Sequence, residues 1–200
     1  MITNGYTTLA AVKLRLDITT TAQDSDLEQQ IESASRWIDD YCGRTFFASS
    51  AGTVRYFTAD DALWLPIDDV TTVTAIAADE DGDRTYERTW TTDDYDLDPP
   101  NASGKGHPFT TVNVAPNGDF TFPVGVRRGI KITGTWGWPS IPKSVAEAAT
   151  LLAIRLRKRT DAPFGIAGSS ELGTLQNLPR TDPDVATLLA PYRRMEVLAF

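Results

Sequence analysis

The sequence is poor in the residues that most often carry chemistry. It has one cysteine, Cys42, and one histidine, His107. A single thiol excludes an intrachain disulfide framework, and one thiol with one imidazole excludes a Cys/His-rich zinc site. A Ser-His-Asp or Cys-His arrangement would have to recruit His107. That residue sits in Gly104-Lys105-Gly106-His107-Pro108, a loop composition with nothing to orient the ring, so a surface histidine is the simpler reading. Long apolar runs are also missing. The longest uncharged stretch with helical spacing, Ala148 to Ile154, is far too short to cross a bilayer, so no membrane partner is expected. Met1-Ile2-Thr3-Asn4-Gly5 has no basic segment followed by an apolar one, so no secretory signal is expected. The 14 glycines and 12 prolines are scattered without a period, which excludes collagen-like and low-complexity chains.

What is present reads as a folded chain. Its 200 residues are 41% hydrophobic and 23% charged, enough for one good core or two small domains. The net charge of −8 is unevenly spread. Residues 1–100 carry 20 acids against 7 bases, a net of −13, and residues 101–200 carry 7 acids against 12 bases, a net of +5. An acidic total argues against a free-standing nucleic-acid binder. Charge polarised along the chain suits head-to-tail self-assembly or docking on a charged partner.

Periodicity divides the chain into helical ends and a β-rich middle. Leu9, Val12 and Leu16 predict a helix from Thr8 to Leu16, capped by Thr7 or Thr8. Leu27, Ile31, Ala34, Ile38 and Tyr41 or Cys42 form one apolar stripe and predict a helix over 25–42. Ser25 to Glu28 fits a capping box at its start, and Gly43 fits a left-handed cap at its end. From Arg44 to about Trp138 the period becomes alternating. Strands are expected at 54–57, 63–65, 70–77, 110–114, 120–122 and 130–136. Asp81-Gly82 and Asn117-Gly118 have the composition of type I′ hairpin turns. A third helix is expected over 142–159, with Pro142 in its first turn and a basic end, Arg155-Leu156-Arg157-Lys158-Arg159. After a Gly/Ser/Pro-rich stretch a short fourth helix starts at Asp182-Pro183-Asp184 and stops near Pro191. The fold class is therefore α+β: two long helices plus short N- and C-terminal helices, with an inserted antiparallel β-rich module. The boundaries are 1–43 and 139–200 for the helical domain and 44–138 for the module.

Several motifs fail on inspection. Asp79-Glu80-Asp81-Gly82-Asp83 begins like a calcium loop, but glycine falls fourth instead of sixth and Trp90 stands where a glutamate belongs, so a solvated turn is the simpler reading. Gly104-Lys105-Gly106 lacks both the earlier glycine and the following hydroxyl of a phosphate loop. Gly168 to Leu172 lacks the second glycine of a nucleophile elbow. No catalytic residue, metal ligand or cofactor site is assigned, and no enzymatic activity is expected. Trp136-Gly137-Trp138-Pro139 could offer rings to sugars or bases, but packing at a strand–helix junction is the plainer account. The basic run at 155–159 could face a polyanion, yet cations at a helix C-terminus are favourable on their own by roughly 0.3–1 kcal/mol each.

Three stretches carry a family resemblance. Tyr6-Thr7-Thr8-Leu9, then Asp26-Leu27 to Ile31 and Ala34-Ser35-Arg36-Trp37-Ile38-Asp39-Asp40-Tyr41-Cys42-Gly43-Arg44-Thr45-Phe46, resembles the head–tail connector (adaptor, or head-completion) proteins of tailed phages. Trp136-Gly137-Trp138-Pro139-Ser140-Ile141-Pro142 and Leu189-Ala190-Pro191-Tyr192-Arg193-Arg194 are similar to the second and third hallmarks. The chain is most similar to longer members that carry an insertion between the long helices. The resemblance implies a helical connector scaffold, a homo-oligomeric ring of 12 copies beneath a portal protein, a stopper or tail-completion protein on the other side, and DNA passing through without sequence-specific binding. It implies a place at the head–tail interface of a virion, for a protein made in the host cytoplasm, and no catalysis.

On that reading the C-terminal segment, Tyr192, Arg193, Arg194, Val197, Leu198 and Phe200, is the portal tether, disordered in the free subunit or borrowed by another copy. Arg155, Arg157, Lys158 and Arg159, or Lys131 with Arg127 and Arg128, face the channel or a neighbouring acidic surface. The rival class is a β-rich carbohydrate- or surface-binding module with helical flanks, using Trp64, Trp90, Trp136 or Trp138.

Overall fold

The computed structural model describes residues 2–161, 166–167, 176–177 and 183–194. The chain forms two compact units: residues Met1–Arg44 with Ile141–Phe200, and residues Thr45–Ser140.

The first unit is helical apart from a short antiparallel pair, Ile166–Ala167 with Gln176–Asn177, in the stretch expected to be loop. α1 (Leu9–Leu16) begins at Thr8, whose hydroxyl accepts the Ala11 N–H at 3.2 Å, and ends on Asp17 in the left-handed conformation. α2 (Asp24–Cys42) is followed by Gly43, with φ 62°, whose N–H reaches the Asp39 carbonyl. The expected capping box is absent. The helix starts a residue earlier, at Asp24, and Gln23 makes no side-chain cap. Arg157, far along the chain, holds side chains near this end, through an ion pair to Asp26 at 3.3 Å and a hydrogen bond to the Gln23 side-chain oxygen at 3.3 Å. α3 (Lys143–Asp161) packs against α2. Val12, Leu27, Ile31, Ala34 and Ala153 form their fully buried core, with Leu152 and Leu156 packed around it. Two polar ties fix the N-terminal segment: the Tyr6 N–H donates to Ser35 Oγ at 3.0 Å, and the Thr7 and Thr150 hydroxyls meet at 2.7 Å. α4 (Pro183–Leu189) continues into a 3-10 turn, Ala190–Tyr192.

The second unit is one six-stranded antiparallel sheet. Its strands are β1 (Thr53–Phe57), β2 (Trp64–Ala78), β3 (Arg88–Trp90), β4 (Tyr95–Asp98), β5 (Phe109–Val114) and β6 (Ile130–Trp136). The order is β1-β6-β2-β5-β4, with β3 beside the far end of β2. β6 alternates strictly, burying Ile130, Ile132 and Trp136. The two strands expected at 63–65 and 70–77 are one, β2, carried past Pro66 by register shifts against both neighbours. Gly134 sits at one such shift, where a Cβ would lie 2.3 Å from the Thr72 carbonyl.

Two expectations are corrected here. Residues 120–122 are not a strand: Phe120 and Phe122 instead pack on Trp90, Phe122 stacked at 4.8 Å. Neither glycine dipeptide makes a type I′ turn. That turn needs positive φ at both central residues, and only Gly82 has it, at 84°. Around Asn117 the turn is Ala115 to Gly118, with Pro116 second and the Gly118 N–H donating to the Ala115 carbonyl at 2.8 Å.

Candidate docking surfaces

The C-terminal segment returns onto its own helical unit. The Arg194 N–H donates to the Cys42 carbonyl at 2.8 Å, using an acceptor that the end of α2 leaves unsatisfied. The Arg193 guanidinium lies 4.9 Å from the centre of the Tyr41 ring, and Tyr41 stacks on Trp37 at 4.9 Å. Tyr192 and Ser144 share a hydrogen bond of 2.9 Å. The expectation of a free segment from Tyr192 onward is therefore corrected for residues 192–194. They are held because α2 ends in open carbonyls and an aromatic pair, a partner invisible in the local sequence. Val197, Leu198 and Phe200 lie outside the described residues. Beneath this segment Cys42 is fully buried, and burial pushes its thiol up to about 11, with Asp39 adding to the rise and Arg44 and Arg193 opposing it.

The basic end of α3 is not uniform. Arg157 is committed to Asp26 and Gln23. Arg155 is half-buried on the same helix. Lys158 and Arg159 are exposed and make no ion pair among the described residues.

The sheet unit presents its own charges. Asp79 is fully buried and accepts the N–H groups of Gly82 at 2.7 Å and Arg84 at 2.9 Å. Burial raises its pKa, but those N–H groups and the Arg84 charge outweigh it and hold the carboxyl below its ordinary range. Oxygens of Asp79, Asp81 and Asp83 lie within 4.8 Å of one another. Each also accepts a backbone N–H of this same loop, so the cluster is accounted for as a turn. His107 is exposed; its backbone N–H donates to the Ala102 carbonyl at 3.0 Å, its ring lies 5.3 Å from that of Trp138, and among the described residues no carboxylate hydrogen-bonds the ring.

The tryptophans bear on the carbohydrate-binding reading. Trp90, Trp136 and Trp138 are 4%, 1% and 3% exposed, so three of the four candidate rings are core. The Trp136 indole N–H donates to the Thr53 carbonyl at 2.8 Å, and that of Trp138 to Asp69 at 2.9 Å. Between them Gly137 has φ 102°, and a Cβ there would fall 1.9 Å from the Phe47 carbonyl, so only glycine fits. Trp64 alone of the four is open, at 49%.

Sequence reasoning missed the acidic strand β4. Its signal was present in Tyr95-Asp96-Leu97-Asp98, an alternating tetrad, but four residues ending at Pro99-Pro100 are easily taken for a loop.

Residues 6–91 match the family model described as Phage gp6-like head-tail connector protein. The matched stretch runs through α1 and α2 and on through β1, β2 and β3, so it does not stop where the sheet unit begins. No curated protein matches the chain. Among solved structures, a chain of the neck of an empty gene transfer agent (GTA) particle, computed with C6 symmetry, is 22% identical with a TM-score of 0.60, over 100% of this chain and 95% of that one. A chain of the virion of the native GTA particle is 21% identical with a TM-score of 0.56, over 100% and 95%. A chain of the native neck computed with C12 symmetry is 20% identical with a TM-score of 0.52, over 100% and 99%. The fold of the whole chain is thus shared with neck proteins of a phage-like particle.

Proposed function

We infer that this chain, matched over residues 6–91 by the gp6-like head–tail connector family and sharing its fold end to end with GTA neck proteins, is a structural head–tail connector. It sits in the neck of a phage or phage-like particle, where copies form a ring between head and tail. That match is the observation that carries the reading; the buried tryptophans count against the sugar-binding alternative. In the finer form of the proposal the ring holds 12 copies beneath the portal. A stopper or tail-completion protein binds its other side, and DNA crosses the centre without sequence-specific contacts. The protein performs no catalysis.

Residues 1–43 with 139–200 act as the helical connector domain, and 44–138 as the β-rich module. The C-terminal segment is the portal tether, rooted at Tyr192, Arg193 and Arg194 and ending in Val197, Leu198 and Phe200. Lys158 and Arg159 meet the channel or a neighbouring subunit, with Arg155 beside them, while Arg157 holds the start of α2. A net charge of −8 makes the free protein a weak DNA ligand at physiological salt, so transit and not binding is its relation to DNA.

The test is electron microscopy and native mass measurement of the protein mixed with its portal. Rings stacked on the portal are expected. A monomer that ignores the portal and binds sugar columns, or a chain with submicromolar duplex affinity at physiological salt, would overturn the reading.

A further inference from the structure

A groove of about 740 Å³ opens in the sheet unit, lined by Glu80, Asp81, Glu87, Arg88, Thr89 and Phe120. Three of these, Glu87, Arg88 and Thr89, are consecutive. Neighbours along an extended chain point to opposite faces, so a groove that touches all three follows the rim of β3 and not one face of the sheet. One rim of β3 is taken by β2. Among the described residues the other is unpaired, and its backbone groups are open to a further strand. The charges around it are mostly negative. Arg88 is committed, paired with Glu80 at 2.8 Å and lying 4.8 Å from the centre of the Phe120 ring. Arg84, in the turn before β3, donates to the Arg127 carbonyl. Asp81 accepts the Asp83 N–H at 3.1 Å. Glu87 is exposed and makes no hydrogen bond or ion pair among the described residues. Three carboxylates against one paired guanidinium leave the groove acidic.

Resting on the connector reading, we propose that this groove takes an extended arm of a neighbouring neck protein, rich in lysine or arginine, which adds a strand to β3. Main-chain hydrogen bonds to the open rim give such a contact its affinity, and side-chain recognition gives it its choice of partner. Short length and charge normally guard a strand edge. A guard of one sign is selective: it turns away acidic chains, a second copy of this protein at −8 among them, and draws basic ones. The Phe120 ring gives the stem of a long basic side chain an apolar surface to lie on. The same acids repel a nucleic-acid backbone, so the groove fits a protein arm and not DNA.

The probe is a synthetic peptide of alternating lysine and valine, titrated into the full chain and followed by amide hydrogen exchange. Binding should slow exchange at backbone N–H groups of residues 88–90. A peptide with glutamate in place of lysine should not bind, and one with alternate backbone nitrogens methylated should lose the contact, because it cannot complete the ladder. Glu87→Lys should weaken binding about fivefold or more. Glu87 is exposed and unbonded, so an unchanged melting temperature is expected and reports intact folding. Equal binding of the methylated or the glutamate peptide, unchanged affinity in Glu87→Lys, or exchange at 88–90 that the peptide leaves unaltered would overturn the groove while leaving the connector reading intact. Protection of 88–90 in rings of the protein alone would overturn it too, by showing that a second copy fills the rim. A protein that binds the peptide but forms no ring on its portal would remove the connector reading, and with it the neck as the source of the arm.

Discussion

Asp79 keeps its charge in a place that should expel it. Its carboxylate is fully buried, yet two backbone N–H groups and the nearby Arg84 hold its pKa below the ordinary range. Asp94 is lowered in the same way, by the Thr91 hydroxyl and N–H and the Asp119 N–H. A lowered folded pKa stabilises the fold above the unfolded value of about 3.9, and that stabilisation disappears as pH falls through the folded value. Acid below about pH 4 should therefore lower the stability of the sheet unit progressively. Asp79→Asn keeps an oxygen for one of the two N–H groups, sets an NH2 against the other and removes the charge. The expected result is a lower melting temperature than wild type at pH 6 and a shallower decline on acidification. Identical slopes would show that this carboxylate plays no part. The acidic run was visible in the sequence as a turn. That one of its members is buried was not, because the groups that enclose it come from the turn's backbone, and a list of side chains does not describe them.

At the scale of elements, the apolar stripes were the legible part. Leu27, Ile31, Ala34, Ile38 and Cys42 recur at helical spacing, and all are fully buried. Ile31 shares its core with Ala153 of α3, more than a hundred residues away. Ile31→Ala should cost about 2–5 kcal/mol, read as a shifted midpoint in urea unfolding, because a cavity there is enclosed by two helices that cannot both collapse into it. A loss below about half a kcal/mol would mean that the two helices do not depend on that contact. Helix ends and short strands were less legible, each for its own reason. The start of α2 reads as a capping box, but Ser25 lies inside the helix, and Arg157 of α3 meets the side chains of Gln23 and Asp26 there. Phe120 and Phe122 alternate like a strand, yet their rings answer to Trp90 and not to a neighbouring ladder. β2 reads as two strands because Pro66 and the register shifts interrupt its alternation. In the candidate surfaces, charge and aromatic content could be read from composition. Which charges are already committed, as Arg157 and Arg55 are, depends on residues brought together by folding.

For the whole molecule, two truncations separate the proposed portal tether from the contacts that hold residues 192–194. Deleting residues 195–200 leaves the Arg194–Cys42, Arg193–Tyr41 and Tyr192–Ser144 contacts in place. It should keep the melting temperature while weakening capture by portal-bearing heads. Deleting 192–200 removes all three contacts and should lower the melting temperature as well. Equal melting temperatures for the two truncations would show that the three contacts add nothing to the fold. The sheet unit has a further property in the way its own ends meet. The Ser49 N–H donates to the Trp136 carbonyl at 2.7 Å, the Trp136 N–H returns to Ser49 Oγ at 2.9 Å, and Phe46 lies 5.4 Å from Trp138. The chain thus departs and comes back through one clasp. In an unfolded chain, joining α2 to α3 means closing a loop of about a hundred residues. With the clasp formed, the same closure spans only about ten, and since closure entropy grows as three-halves of RT times the logarithm of loop length, the saving is about 2 kcal/mol. The sheet that parts the two long helices in sequence is, once folded, what shortens the search by which they find each other.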